Sequence, residues 1–240
     1  MSTDMNSNSK TFLGVAEKST ALTNAYLRSV YNWMAAGLLI TAIMAYSVVT
    51  VPALAAIVFS SKWTFYGLII AQVALVFTIS GAIQRLSAGA ATGIFLLYSA
   101  LNGATLSVLL LVYTSTSVVQ AFVTASGMFV AMSLYGLITK RDLTSIGSFC
   151  MMGLFGIIIA SIVNMIWPST MMNFIISCVG VVVFLGLTAY DTQRLRAMGE
   201  SAPEGDATAM RRGVILGALT LYLDFINLFI MLLRLTGDRR

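Results

Sequence analysis

From Leu86 to Thr139 the chain reads LSAGAATGIFLLYSALNGATLSVLLLVYTSTSVVQAFVTASGMFVAMSLYGLIT, without one Asp, Glu, Lys or Arg. A helix that crosses the hydrocarbon of a bilayer needs ~20 mostly apolar residues, so this stretch is too long for a single crossing. It is also too apolar for a solvated loop. It must fold back on itself, and the polar run Thr114-Ser115-Thr116-Ser117 supplies the turn. Two spans follow from this stretch alone.

Outward from it, charges and turn residues mark the remaining intervals. Upstream, Ser29 to Ser61 holds one span, roughly Tyr31 to Val51 and ended by Pro52, and Trp63 to Gln84 holds another. Downstream, Leu143 to Tyr190 forms a pair broken at Trp167-Pro168-Ser169-Thr170, and Gly213 to Leu233 is a last span interrupted only by Asp224. The reading is an all-α membrane protein, a seven-transmembrane-helix bundle. Residues 1–25 are polar, lack the apolar core of a signal peptide and read as a cytoplasmic tail; residues 26–240 form the transmembrane domain. Between the last two spans, Arg194 to Arg212 carries Gly199, Pro203 and Gly205 and reads as a cytoplasmic loop.

Composition agrees. Of 240 residues only 14 are Lys or Arg and 9 Asp or Glu, whereas 58% are hydrophobic and the mean hydropathy is +0.90, so there is too little charge to cover a soluble surface. Histidine is absent. That excludes Ser-His and Cys-His nucleophile pairs, rhomboid-type proteolysis and the common zinc sites. Cys150 and Cys178 each lie in an apolar run and read as small buried hydrophobes. No catalytic residue and no resident cofactor are expected, and the protein reads as not an enzyme.

Basic residues accumulate at cytoplasmic ends. With the N-terminus inside, the inner segments hold Lys10, Lys18, Arg28, Arg85, Lys140, Arg141, Arg194, Arg196, Arg211 and Arg212, and the outer loops hold only Lys62. Arg234, Arg239 and Arg240 run against this pattern, because they lie outside if the last segment crosses fully; a re-entrant hairpin would keep them inside. Full crossing is the favoured reading. The pI near 9.4 then reflects topology and contact with the lipid bilayer, and no nucleic-acid partner is implied.

The informative residues are ionisable groups at membrane depth. Asp224 sits mid-span in LGALTLYLDFINLF, where a lone carboxylate costs ~2.5–3.5 kcal/mol on insertion scales. Its helical neighbours Thr220 and Asn227 make a polar stripe that should face the bundle interior. Asp191, in GLTAYDTQRL, lies near the inner end of the preceding span, where an i+3 pairing with Arg194 is the structural alternative to a functional role. Consecutive helices are usually neighbours in space, so the two carboxyls can meet. Like charges 4 Å apart repel by about 4 kcal/mol at an effective dielectric near 20, so such a pair holds one shared proton and acts as a pH sensor. Arg85, at the end of the second span, is the available counter-charge for the ionised state; a snorkelling interfacial Arg is the equal alternative.

The motifs Gln84-Arg85-Leu86-Ser87, Leu97-Tyr98-Ser99-Ala100-Leu101-Asn102-Gly103, Thr139-Lys140-Arg141-Asp142-Leu143, Gly186 to Gln193 and Leu219 to Asn227 occur in an order that resembles the transmembrane Bax inhibitor motif family, and within it the bacterial inner-membrane members. The likeness runs from about Tyr26 to the C-terminus. It implies a bundle with the C-terminal helix central and the other six around it in two three-helix layers. It also implies a pH-sensitive calcium leak, with Asp191 and Asp224 as the hydrogen-bonded pair and Arg85 as the arginine that exchanges contacts with it. Two aspartates supply too few oxygens to hold Ca²⁺ tightly, so any metal contact at Asp191 and Asp224 is weak and transient. The family also includes bacterial members that bind and restrain a membrane-bound ATP-dependent protease. That second reading would use lipid-facing small-residue pairs such as Gly89/Gly93 or Gly213/Gly217, for which close packing inside the bundle is the structural alternative.

Two other classes fail on residues. An intramembrane aspartyl protease would use two carboxyls sharing a proton, but Leu221-Tyr222-Leu223-Asp224 lacks that family's two glycines and two spans are missing. A retinal protein needs a buried lysine, and Lys10, Lys18, Lys62 and Lys140 all lie outside the spans.

Overall fold

The computed structural model describes residues 3–201 and 206–240, with side chains from residue 20 onward. Among the described residues eight helices follow one another: α1 (Thr3–Thr50), α2 (Pro52–Val58), α3 (Lys62–Ala82), α4 (Ala88–Val112), α5 (Ser115–Ile138), α6 (Thr144–Ile166), α7 (Thr170–Glu200) and α8 (Ala207–Thr236). Seven are long and apolar enough to cross a membrane, α1 through its Thr20–Thr50 part, and the protein is an all-α integral membrane protein. Most of the expected polar tail is therefore the first part of α1, which runs without a break into the first span.

The turns form where the sequence offers side-chain oxygens to the free amides of a helix start. Ser87 accepts from Ala90 N at 3.1 Å, Thr114 from Ser117 N at 3.3 Å and Ser169 from Met172 N at 3.3 Å. Asp206 caps α8 through Thr208 N and Ala209 N. The turn expected over Thr114–Ser117 is tighter than expected: only Tyr113 and Thr114 lie outside helices, and Ser115 already begins α5.

Three boundaries depart from the sequence reading. Pro52 does not simply end the first span; with its fixed φ and missing N–H it takes the first position of the short helix α2, after the extended Val51. The expected loop between the last two spans is mostly helix, because α7 continues past Gly199 to Glu200 and α8 starts at Ala207; Pro203 and Gly205 lie outside the described residues. The last segment is one continuous helix rather than a re-entrant hairpin. Its C-terminus docks beside the α4–α5 turn, where Thr114 N donates to Asp238 O and Arg240 N to Val112 O. α8 thus crosses the whole bundle.

The core lies along α8. Two thirds of its apolar window is buried, more than in any other span, and it packs against α1, α4, α5 and α7. Glycines permit the closest approaches. A Cβ at Gly136 would strike the backbone carbonyl of Ala189, and one at Gly217 would come within 2.6 Å of Leu195 Cδ2. These contacts draw α5 onto α7 and α7 onto α8 beside the two aspartates. At the periphery, α3 packs on α4 and turns Trp63, Ile70 and Phe77 outward, as a lipid-facing helix should.

Candidate functional site

Neighbouring helices α7 and α8 run antiparallel, and beyond the Leu195–Gly217 contact Asp191 follows one turn along α7 and Asp224 about two turns along α8. Asp191 is 7% exposed and Asp224 5%. Their carboxyls face each other within hydrogen-bonding reach. Ionised carboxylates only accept, so this bond exists only when one of the two carries a proton. Oδ2 of Asp224 is fully buried and, among the described residues, has no N–H or O–H donor. The membrane-depth carboxyl that the sequence singled out is thus placed against the second one.

The polar stripe on α8 serves a different purpose than expected. Thr220 Oγ1 donates to Leu216 O and Asn227 Nδ2 to Leu223 O, each within its own helix, and neither side chain bonds Asp224. Thr220 still matters, because it lines a cavity of about 240 Å³ with Asp191, Arg194 and Gly217, closed on the α3 side by Ser80. Three elements therefore bring a carboxylate and two hydroxyls to one cavity with room for several waters. The oxygen set is polar but sparse, and among the described residues no three His, Cys, Asp or Glu side chains cluster. A divalent cation that prefers six to eight oxygens would be held weakly here and only with its own waters.

The cation nearest the pair is Arg194, not Arg85. Arg194 lines the cavity and its charge acts on Asp191, though the two form no direct ion pair. Arg85 is exposed in the turn after α3, and among the described residues it makes no side-chain contact with either aspartate. The i+3 spacing signalled Arg194 in the sequence. The position of Arg85 depends on which face of α3 meets the bundle, and α3 is apolar nearly all round.

A second polar group was not foreseen. Tyr222, fully buried, places its hydroxyl 2.6 Å from Thr41 Oγ1 and accepts from Asn102 Nδ2 at 2.8 Å. Thr41 Oγ1 lies 2.9 Å from both Gly37 O and Ser99 O. The network ties α8 to α1 and α4 two residues before Asp224, and edge-to-face contacts with Phe95 and Tyr98 fix the Tyr222 ring. Its signal was available as polar residues inside apolar helices, but which of them meet is a matter of packing.

Cys150 is buried and Cys178 half-buried; both are free thiols. The two small-residue pairs divide. Gly213 and Gly217 pack against Tyr26, Val30 and Leu195, whereas Gly89 and Gly93 face open space on the outside of α4.

The chain as a whole is similar to known proteins. The model of the family described as "Inhibitor of apoptosis-promoting Bax1" matches residues 23–240. A protein of Escherichia coli (strain K12) described as "Inner membrane protein YbhL" is 51% identical over 215 residues, covering 90% of this chain and 92% of its own. An uncharacterized protein of Borreliella burgdorferi is 47% identical over 217 residues, 90% of this chain and 93% of its own. An uncharacterized protein of Deinococcus radiodurans is 41% identical over 223 residues, 93% of this chain and 94% of its own.

Proposed function

The chain belongs to the family of inhibitors of apoptosis-promoting Bax1, and from that premise we propose that it is a pH-gated leak for cations, with calcium as the cation the resemblance implies. The inner-membrane location named for the Escherichia coli relative is carried over as part of this proposal. The observation that carries the reading is the meeting of Asp191 and Asp224, two carboxyls from different helices, beside a cavity that reaches Ser80 and Thr220. Structural need alone would not retain a carboxyl whose Oδ2 is buried without a donor.

In the closed state of this proposal one proton joins the pair, and the remaining charge rests on Asp191, on which Arg194 acts. A second proton neutralises Asp191 and ends its attraction to Arg194. The hydrogen bond between Asp191 on α7 and Asp224 on α8 weakens at the same step, since its acceptor is no longer ionised, and the cavity can extend along α8. Acid therefore opens the path and alkali closes it. Each tenfold change in proton affinity between two conformations supplies ~1.4 kcal/mol, so a gap of a few kcal/mol is within reach of one such site. Arg85 joins the mechanism as the cation that approaches when the cavity rearranges.

The test is calcium entry into proteoliposomes holding purified protein, followed from about pH 5 to about pH 8. Flux that rises on acidification supports the proposal. Folded protein with no flux at any pH refutes it, and the reading of a membrane-protease partner then takes its place.

A further inference from the structure

The end of the bundle opposite the aspartate pair carries a built crevice that the leak does not use. It encloses about 620 Å³ between the α6–α7 hairpin and the C-terminal end of α8. Two guanidinium groups enter it, Arg234 from the last turn of α8 and Arg239 from the tail beyond. Both are exposed, and among the described residues Arg234 has neither an ion pair nor a hydrogen bond.

Arg239 is not on a loose end. Tyr113 and Arg239 pair as an antiparallel bridge, Asp238 N donates to Ser117 Oγ at 3.0 Å, and the Arg239 guanidinium sits 5.9 Å from the centre of the Tyr113 ring. Successive residues of an extended segment point to opposite sides, so pinning the tail sends Arg239 into the crevice and leaves Asp238 out of its lining. The remaining polar lining donates. Asn173 accepts from Asn164 Nδ2 at 2.8 Å with its oxygen, which leaves its own NH₂ unused among the described residues, and Thr170 adds a hydroxyl. Donors and two positive charges without an acid in the lining describe a site for an anion.

The surroundings select its source. One wall is apolar and outward-facing, with Met165 72% and Phe174 57% exposed. Trp167, 72% exposed at the same turn, is the kind of residue that sits at headgroup level. We propose that this crevice binds the phosphodiester headgroup of an anionic phospholipid, with Arg234 and Arg239 on the phosphate and the acyl chains lying along Met165 and Phe174. The bound lipid bridges α6, α7 and the docked C-terminal tail.

Lipid retention on the intact protein in native mass spectrometry, titrated with phosphatidylglycerol or phosphatidylcholine, tests this. The native protein should retain phosphatidylglycerol about tenfold better, and Arg234→Gln with Arg239→Gln should erase that preference. Arg240→Gln, whose guanidinium bonds Ser115 Oγ outside the crevice, should leave it intact. Arg234→Lys should keep part of the preference, since charge remains while the fork is lost. Thermal unfolding of each variant in the same detergent checks that it is folded. Equal retention of both lipids by the native protein, or an unchanged preference in the folded double variant, overturns the proposal. So does saturable binding of inorganic phosphate without any preference between the lipids, which would make the site one for a soluble anion.

Discussion

Replacing Tyr222 by Phe removes one oxygen atom from the centre of the bundle and nothing else. The ring keeps its contacts with Phe95 and Tyr98, so the substitution isolates the hydroxyl. Two interhelical hydrogen bonds disappear, one to Thr41 on α1 and one from Asn102 on α4. Such bonds inside membrane proteins contribute ~0.6 kcal/mol each. Asn102, 7% exposed, is left with a buried donor that has lost its acceptor, which adds ~1 kcal/mol. The expected loss is therefore about 2 kcal/mol, or ~30-fold in the unfolding equilibrium. For a chain of this length that corresponds to a fall of about 4–8 °C in Tm. The assay is thermal unfolding in detergent or nanodiscs, with Asn102→Leu and the double variant alongside. The double variant should cost less than the sum of the singles, because it leaves no orphaned donor. A Tyr222→Phe protein within about 0.5 kcal/mol of the native one would refute the claim that this network holds α1, α4 and α8 together.

Other expectations follow from single contacts. Gly136→Ala should destabilise by ~1–3 kcal/mol in the same unfolding assay, because its Cβ meets the backbone of Ala189, whereas Gly127→Ala, which meets nothing, should be neutral or stabilising by up to ~1 kcal/mol. Asp142 lies outside the spans, and its carboxyl is held below the usual range by hydrogen bonds from the Thr144 side chain and backbone. Its folded-state value is the lower one, so its contribution is present above ~pH 4 and is lost as pH falls through the folded value. Asp142→Ala should accordingly speed amide exchange at Thr144 at neutral pH and make no difference in strong acid. Arg194→Gln should move the flux step toward higher pH, since ionised Asp191 loses the charge that acts on it; Arg85→Gln should move it less, and an unmoved step in Arg194→Gln would exclude Arg194 as the counter-charge.

Much of this architecture was legible because hydrocarbon imposes strict rules. The uncharged stretch Leu86–Thr139 had to be two helices, and the Thr and Ser residues near its middle became the cap and first turn of α5. Asp224 was legible for the same reason, since few buried carboxyls are tolerated without a purpose. The limits were equally physical. Pro52 both ends one helix and starts the next, and the sequence pattern alone reports only the first effect. Arg85 and Arg194 look alike as inner-end cations, and only the packing of α3 at the edge and α7 against α8 separates them. Thr41, Asn102 and Tyr222 lie far apart in the chain, and their meeting depends on helix rotation about α8, which in nearly uniformly apolar helices leaves no periodic trace.

The central claim is that Asp191 and Asp224 act as one titrating unit that controls flux. The most direct test is the pH profile of calcium flux in proteoliposomes for the native protein, Asp191→Asn, Asp224→Asn and the double variant. One unit predicts that either single substitution flattens the acid-dependent rise and that the second adds nothing. Two separate, additive effects, or a native-like profile in either folded single variant, would contradict it.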